Sequence, residues 1–183
     1  MEPVEIAAGA LQLQPWAPHD AHEVYDACQD PDIQRWTRVP SPYSMADAEF
    51  FVTQHSPNGW KNGTMATFAV KDATTGQVLA SVGLHDLAGP DRSAELGFWA
   101  APWARGRSVT TAASRAVCRW AFATGLTDQI CWIAGVGNAA SLRVAEKLGF
   151  TIDGTLRARI RAGDGTRLDA LHGSLLPGEL TDG

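Results

Sequence analysis

Cysteine is scarce in this chain and poorly spaced for bonding. Cys28, Cys118 and Cys131 are an odd set without a C-x-x-C pair, which speaks against a disulfide framework and against a structural zinc site. Cys118 and Cys131 fall within apolar patterns and read as small buried hydrophobes. Histidines are scattered: His19 and His22 form the one close pair and have no third ligand beside them, so no metal is expected. Long apolar runs are missing too. None approaches the roughly 20 residues that cross a bilayer. The opening Met1-Glu-Pro-Val-Glu5 lacks the basic and apolar segments of a secretion signal, so a cytoplasmic protein without a membrane partner is expected. Basic charge is in deficit, with 15 Lys and Arg against 20 Asp and Glu and a net charge of −5. Nucleic acid is therefore disfavoured as a partner, because backbone phosphates are held mainly by lysine and arginine; a cationic substrate such as an amine is mildly favoured.

What is present suits a globular enzyme. The 183 residues are 45% hydrophobic and 19% charged, which fits one domain over 1–183 with its core over 10–176. Alternation predicts an opening strand over 11–15, and Pro18 opens a helix to about Gln29 with Asp20 or a neighbour as its cap. A short helical turn over 31–36 and a loop over 39–43 follow. Ser44-Met-Ala-Asp47 fits a capping box, opening a helix expected to end near His55. Strands over 67–71 and 78–83 flank a turn at Ala73-Thr-Thr-Gly76, and a third strand spans 93–99. The period then changes. Val109, Ala112, Ala113, Ala116, Val117, Trp120 and Ala121 mark an amphipathic helix. A buried strand over 130–136, a helix over 139–148, strand pieces at 150–152 and 157–160, and a last strand over 168–176 complete the chain. The order implies an α+β or mixed α/β domain with helices covering both faces of one sheet.

Two stretches carry polar groups to places where a ligand would sit. In Asn138-Ala-Ala-Ser-Leu-Arg-Val-Ala-Glu-Lys-Leu-Gly-Phe150, Asn138 is placed to cap a helix and Gly149 to end it, with Leu142, Ala145 and Leu148 facing the core. Asn138 and Ser141 lie one turn apart, where a helix start leaves backbone donors unpaired. The junction is either structural or one wall of a site. The second stretch, Ala101-Pro-Trp-Ala-Arg-Gly-Arg-Ser-Val109, runs from a strand into the amphipathic helix. Gly106 permits close backbone approach, and the helix start attracts anions. Arg105 and Arg107 flank that glycine, and Arg157, Arg159 and Arg161 alternate further on, local basic spots that suit a small anion better than a polyanion. The loop matches neither the Walker phosphate loop nor the three-glycine dinucleotide fingerprint. Glu95 shares one strand face with Gly97, where a carboxylate is either solvated or placed in a cavity as a base.

Together these residues resemble the GNAT superfamily of acetyl-CoA-dependent N-acetyltransferases, and within it the branch of ribosomal-protein N-terminal acetyltransferases. Residues Trp103-Ala-Arg-Gly-Arg-Ser108 stand where that family has Q/R-x-x-G-x-G/A. Asn138, Ser141, Lys147, Gly149 and Phe150 match its N-x-x-S helix ending in K-x-G-F. The strand at 11–15, the Ala94-Glu-Leu-Gly-Phe98 strand and Asp169 also suit the branch, so the resemblance runs from about residue 10 to 176. Four positions depart from it: Trp103 for Gln or Arg, Ser108 for Gly or Ala, Ala112 for Glu, and Ala145 where many members carry a tyrosine general acid.

The resemblance implies a GNAT-like mixed sheet, acetyl-CoA as co-substrate and an amine acceptor, either a protein N-terminal α-amine or a small molecule. It implies that Glu95 takes the amine proton, directly or through water, and that backbone N–H groups near Phe98, Trp99 and Ala100 polarise the thioester. Arg105, Gly106, Arg107, Ser108, Val109 and Thr110 would hold the pyrophosphate, Asn138 the pantetheine arm, and Ser141 the departing thiolate. It is also compatible with a homodimer. Trp36 to Trp60, with Tyr43, Phe50 and Phe51, would form part of the acceptor wall or equally plain core, and Phe50 and Phe51 read as core. Trp103, Ser108 and Ala145 leave a second reading open, a catalytically weak acyl-CoA-binding or regulatory module of the same fold.

Overall fold

The computed structural model describes residues 1–161 and 166–182. Strands β1 (Ile6–Ala8), β2 (Leu11–Pro15), β3 (Ala66–Asp72), β4 (Val78–His85) and β5 (Ser93–Ala100) pair antiparallel in sequence order. The helix α5 (Val109–Ala123) then crosses over to β6 (Gln129–Gly135), which lies parallel to β5. After helix α6 (Ala139–Leu148), the sheet closes with β7 (Thr151–Arg161) at the edge and β8 (Arg167–Leu175) between β7 and β6. The parallel pair β5–β6 needs a crossover, and α5 supplies it.

Helices cover both faces, as the element order implies. On one face Leu13, Phe68, Val70, Val82, Leu84, Leu96, Ile130 and Trp132 pack against Val109, Ala113, Val117 and Ala121 of α5 and Ala145 and Leu148 of α6. The spacing of four along α5 is what lines those side chains up on one stripe. The other face carries α1 (Ala21–Cys28), α2 (Pro31–Trp36) and α3 (Met45–Phe50), whose Val24, Cys28, Ile33 and Ala48 join Val52, Ala69 and Val78.

Several expectations change. β1 was not legible in its three residues; Gly9, at φ +63°, turns the chain back so that Ala8 pairs with Leu11. Asp20 makes no side-chain cap to α1. Its carboxylate accepts the Ala17 N–H at 2.9 Å and meets Lys71 Nζ at 2.6 Å, a buried ion pair tying the start of α1 to β3. The Ser44 box forms as read, but the helix does not stop at His55. A π-type turn over Phe51–His55 leads into α4 (Ser56–Asn62), so the widened turn absorbs Pro57, which has no N–H to continue an α ladder. Trp60 of α4 is buried edge-on to Phe68, with ring centroids 5.2 Å apart. The two strand pieces after Gly149 are one strand, interrupted by irregular register near Gly154 and Ala158. Asp169 holds the second interruption by accepting the Ala158 N–H at 2.8 Å. Cys118 is buried as expected, whereas Cys131 is only partly so.

Candidate functional site

The site begins with a failure of pairing. β5 and β6 share only the registers Ser93–Gln129, Ala94–Ile130 and Glu95–Cys131. Beyond them β5 continues along β4 as far as Ala100, and β6 continues along β8 as far as Gly135. The two strands part, and the edge of β5 from Leu96 to Ala100 faces the gap without a ladder partner among the described residues. Phe98, Trp99 and Ala100 lie on this stretch. Unpaired strand groups readily accept an extended ligand. Each strand also runs into a helix start at the same end of the sheet, and the carboxyl ends of adjacent parallel strands are where open α/β sheets bind ligands.

The loop after β5 is clamped on several sides. A 3₁₀ turn over Pro102–Ala104 carries Trp103, whose indole N–H donates to the Val78 carbonyl at 2.9 Å. This departure from the family pattern therefore anchors the loop to β4. Arg105 binds Asp30 through two hydrogen bonds of 2.6 and 3.1 Å, and Asp30 in turn caps α2 by accepting from Asp32 N and Ile33 N, each at 3.0 Å. The Arg105 guanidinium holds the Asp30 carboxyl below the usual carboxylate range. Arg107 lies 3.9 Å from Asp72. Both arginines thus pair with carboxylates of neighbouring elements, which reduces their charge toward an anion and fixes the loop.

At its tip Gly106 has φ +74°, and a Cβ built there would meet no atom within 4 Å. Ser108 has φ +57° without being glycine and makes no side-chain cap. The first backbone bond of α5 runs from Ala112 N to Ser108 O at 3.0 Å, so the N–H groups of Val109, Thr110 and Thr111 are the unsatisfied donors of a helix start. A left-handed non-glycine residue costs about 1–2 kcal/mol, part of which glycine would lose again through unfolded-state entropy. Ser108→Gly is therefore expected to raise stability by about 0.5–1 kcal/mol and Tm by about 1–4 °C in a calorimetric scan. A lower Tm would show that the serine side chain stabilises the loop.

The second helix start carries the other expected residues. Asn138 caps α6 as read, its side-chain oxygen accepting the Ser141 N–H at 3.1 Å after Gly137 turns the chain at φ +96°. The Ser141 hydroxyl oxygen accepts from the indole N–H of Trp132 at 3.0 Å. With that oxygen held, the hydroxyl hydrogen is left to donate elsewhere. Ala145 is fully buried, so the position where many family members carry tyrosine is here part of the core.

Glu95, Gly97 and Trp99 face the opposite side of the sheet from α5, as the alternation predicts. The Glu95 carboxylate is not free: it accepts from Arg38 at 2.7 Å, with the Glu95 side chain 17% exposed. His85, directly across from Glu95 on β4, was not singled out from the sequence. Finding it needed the register of β4 against β5, in which Ser81, Gly83 and His85 oppose Trp99, Gly97 and Glu95. Its imidazole lies over Gly97, where a Cβ would come within 3.1 Å of Nε2. Burial pushes the His85 pKa below its ordinary 6.5. In the aromatic wall, Phe51 packs on Trp16 with centroids 5.3 Å apart, while Phe50 is 52% exposed and not core.

Glu95, Phe98 to Ala100 and the 105–110 loop are thus strung along one strand and its exit, and Asn138 and Ser141 open the helix that follows the strand across the gap. Among the described residues no group of three or more His, Cys, Asp or Glu side chains is placed to hold a metal, and no helix is long and apolar enough to cross a membrane.

The architecture has close counterparts. RimL, a ribosomal L7/L12 α-N-protein acetyltransferase in complex with coenzyme A, aligns with a TM-score of 0.86 at 15% identity, covering 94% of this chain and 98% of that one. Mycobacterium smegmatis RimJ, in complex with a CoA disulfide, aligns with a TM-score of 0.82 at 21% identity, covering 99% and 88%. At such identities the likeness is one of fold. YdaF of Bacillus subtilis (strain 168), provisionally named a ribosomal N-acetyltransferase, is 32% identical over 101 residues, 55% of this chain and 52% of that protein, so the chain spans about half the length of this relative. The pattern that defines the acetyltransferase (GNAT) domain matches residues 10–151. With that match over most of its length, the protein belongs to the GNAT acetyltransferase family.

Proposed function

We propose that the protein transfers an acetyl group from acetyl-CoA to a primary amine by direct attack. The observation that carries this reading is the parting of β5 and β6 beyond the Glu95–Cys131 pair, between two helix starts. The gap fits the co-substrate in kind: unpaired backbone for the amide-bearing pantetheine arm, and unsatisfied N–H groups with open space over Gly106 for the pyrophosphate. In this reading residues 105–110 hold the pyrophosphate, Asn138 and the free edge of β5 hold the arm, and N–H groups among Phe98, Trp99 and Ala100 polarise the thioester carbonyl. Ser141 donates its free hydrogen to the departing thiolate. Glu95 acts on the amine proton through an intervening group, with Arg38 held on one oxygen of its carboxylate.

RimL is named for acetylating a ribosomal-protein α-amine, and the YdaF name points the same way. An N-terminal α-amine of a ribosomal protein is therefore the preferred acceptor, with small amines as the second class. Calorimetric titration with acetyl-CoA, followed by thiol release with N-terminal peptides and small amines, tests the proposal. Failure to bind acetyl-CoA would overturn it. Binding without thiol release across the panel would favour the acyl-CoA-binding module instead, a reading to which the arginines already paired with Asp30 and Asp72 lend some support.

Ser141→Ala separates the two roles of that hydroxyl. A coenzyme thiol with a pKa near 8.5 leaves readily, so kcat should fall only about tenfold, below the usual range for a general acid, with acetyl-CoA affinity unchanged. The same change leaves the buried Trp132 N–H without an acceptor and should cost about 1–3 kcal/mol of stability. Full turnover would confine Ser141 to holding Trp132.

A further inference from the structure

His85 keeps its ring nitrogens available. The imidazole is partly buried on a central strand and makes no hydrogen bond to another protein group among the described residues, so a ligand can reach it. Its place is set by what is missing beside it. Gly97 has no side chain, and the ring fills that space, with Nε2 and Cδ2 lying 3.1 and 3.2 Å from where a Cβ would stand. Gly97 lies two residues beyond the last residue at which β5 pairs with β6, so Nε2 sits at the lip of the gap. Across the ladder, His85 and Glu95 are direct partners, a relation that brings their Cβ atoms to about 4.5–5.5 Å. Behind Glu95 stands Arg38.

We infer that His85 Nε2 is the atom that receives the proton of the acceptor's ammonium, with Glu95 stabilising the imidazolium and Arg38 orienting Glu95. The inference rests on the acetyl-transfer reading above and supplies the intervening group through which Glu95 acts. In the step, an N–H bond of the ammonium breaks and its proton forms a bond to Nε2. The freed lone pair attacks the thioester carbon, and collapse forms the C–N bond and breaks the C–S bond. The second proton of the amine nitrogen ends on the thiolate by way of Ser141, and His85 returns its proton to water. The arrangement of acceptor, base and orienting carboxylate follows the general logic of an activated nucleophile.

The groups that face the ring come from several elements. Glu95 on β5 and the adjacent Asp86 favour its protonation; Arg38 after α2 and His55 before α4 oppose it, and burial opposes it most. The net direction leaves His85 neutral and able to accept a proton at neutral pH.

The test uses the full chain with short peptides bearing N-terminal alanine or serine and with a small primary amine. The wild-type kcat/KM is expected to decline at acid pH with a midpoint below 6.5, coinciding with the titration of the His85 ring followed by NMR in the free protein. His85→Gln should lower kcat/KM by about 10²–10³-fold and displace that acid limb, while acetyl-CoA affinity by calorimetry stays within roughly twofold. A variant rate within roughly threefold of wild type, an acid limb left in place, or a limb that does not coincide with the ring titration would each overturn the assignment. The titration comparison needs no variant and so holds even if His85→Gln folds poorly. Wild-type protein that binds acetyl-CoA yet acetylates none of these amines would overturn the transferase reading, and the proton role with it. Normal turnover in wild type and variant alike would overturn His85 alone.

Discussion

Gly106→Glu is expected to weaken acetyl-CoA binding by about 10²-fold. The effect is mainly electrostatic. A carboxylate about 5 Å from one phosphate charge, at an effective dielectric near 20, is opposed by about 3 kcal/mol, which is a little over two decades in Kd. Steric damage is not required, because a Cβ at this position meets open space. Backbone strain adds a stability cost, since φ is +74° and a side chain there costs about 1–2 kcal/mol, or about 2–8 °C in Tm. Gly106→Ala carries the strain without the charge and should bind acetyl-CoA within a few-fold of wild type. Calorimetric titration of both variants separates the two effects. Equal affinities for the two would remove the loop from the pyrophosphate site.

Lys71→Met is expected to be the most destabilising of the substitutions considered. Lys71 Nζ lies 2.6 Å from Asp20, and the two side chains are only 9% and 1% exposed. Removing the ammonium leaves a buried carboxylate with the Ala17 N–H and, at 3.4 Å, His19 as its remaining partners. Breaking a buried pair from one side costs about 3–5 kcal/mol, which for a chain of this size is a fall of about 6–20 °C in Tm. Combining Asp20→Asn with Lys71→Met removes both charges and should recover about 2 kcal/mol or more of that loss. Denaturant unfolding of the three variants gives the coupling. A loss below about 1 kcal/mol for Lys71→Met would mean that Asp20 finds solvent when its partner is gone.

Local patterns were legible where one element decides the outcome. The stripe of Val109, Ala113, Val117 and Ala121, the Asn138 cap and the Ser44 box all formed as read, because each depends on contacts within a few residues. The helix opened at Ser44 runs on past the expected end near His55, because a π-type turn leads into a further helix whose Trp60 packs on Phe68, a tertiary contact that local pattern does not show. Asp20 misled for the same kind of reason: a carboxylate at a helix start is a cap unless a distant lysine claims it.

The candidate site divides along the same line. Gly106 and Ser141 announce themselves by local chemistry. Pairs made across the fold do not: Arg105 meets Asp30 across 75 residues, Arg38 meets Glu95 across 57, and His85 faces Glu95 only through sheet register.

The parted strands have a consequence for how such a chain varies. A recess made by two strands drifting out of register is built from main chain, which every residue type possesses. Substitution along its rim leaves the recess in place, so sequences can diverge until little identity remains while the slot persists. The side chains that the proposed reaction uses on the amine cluster on the far lip, around His85 and Glu95. In the proposed reaction, change there alters how the amine is deprotonated without rebuilding the slot, so a fixed socket stands behind a front that sets the rate.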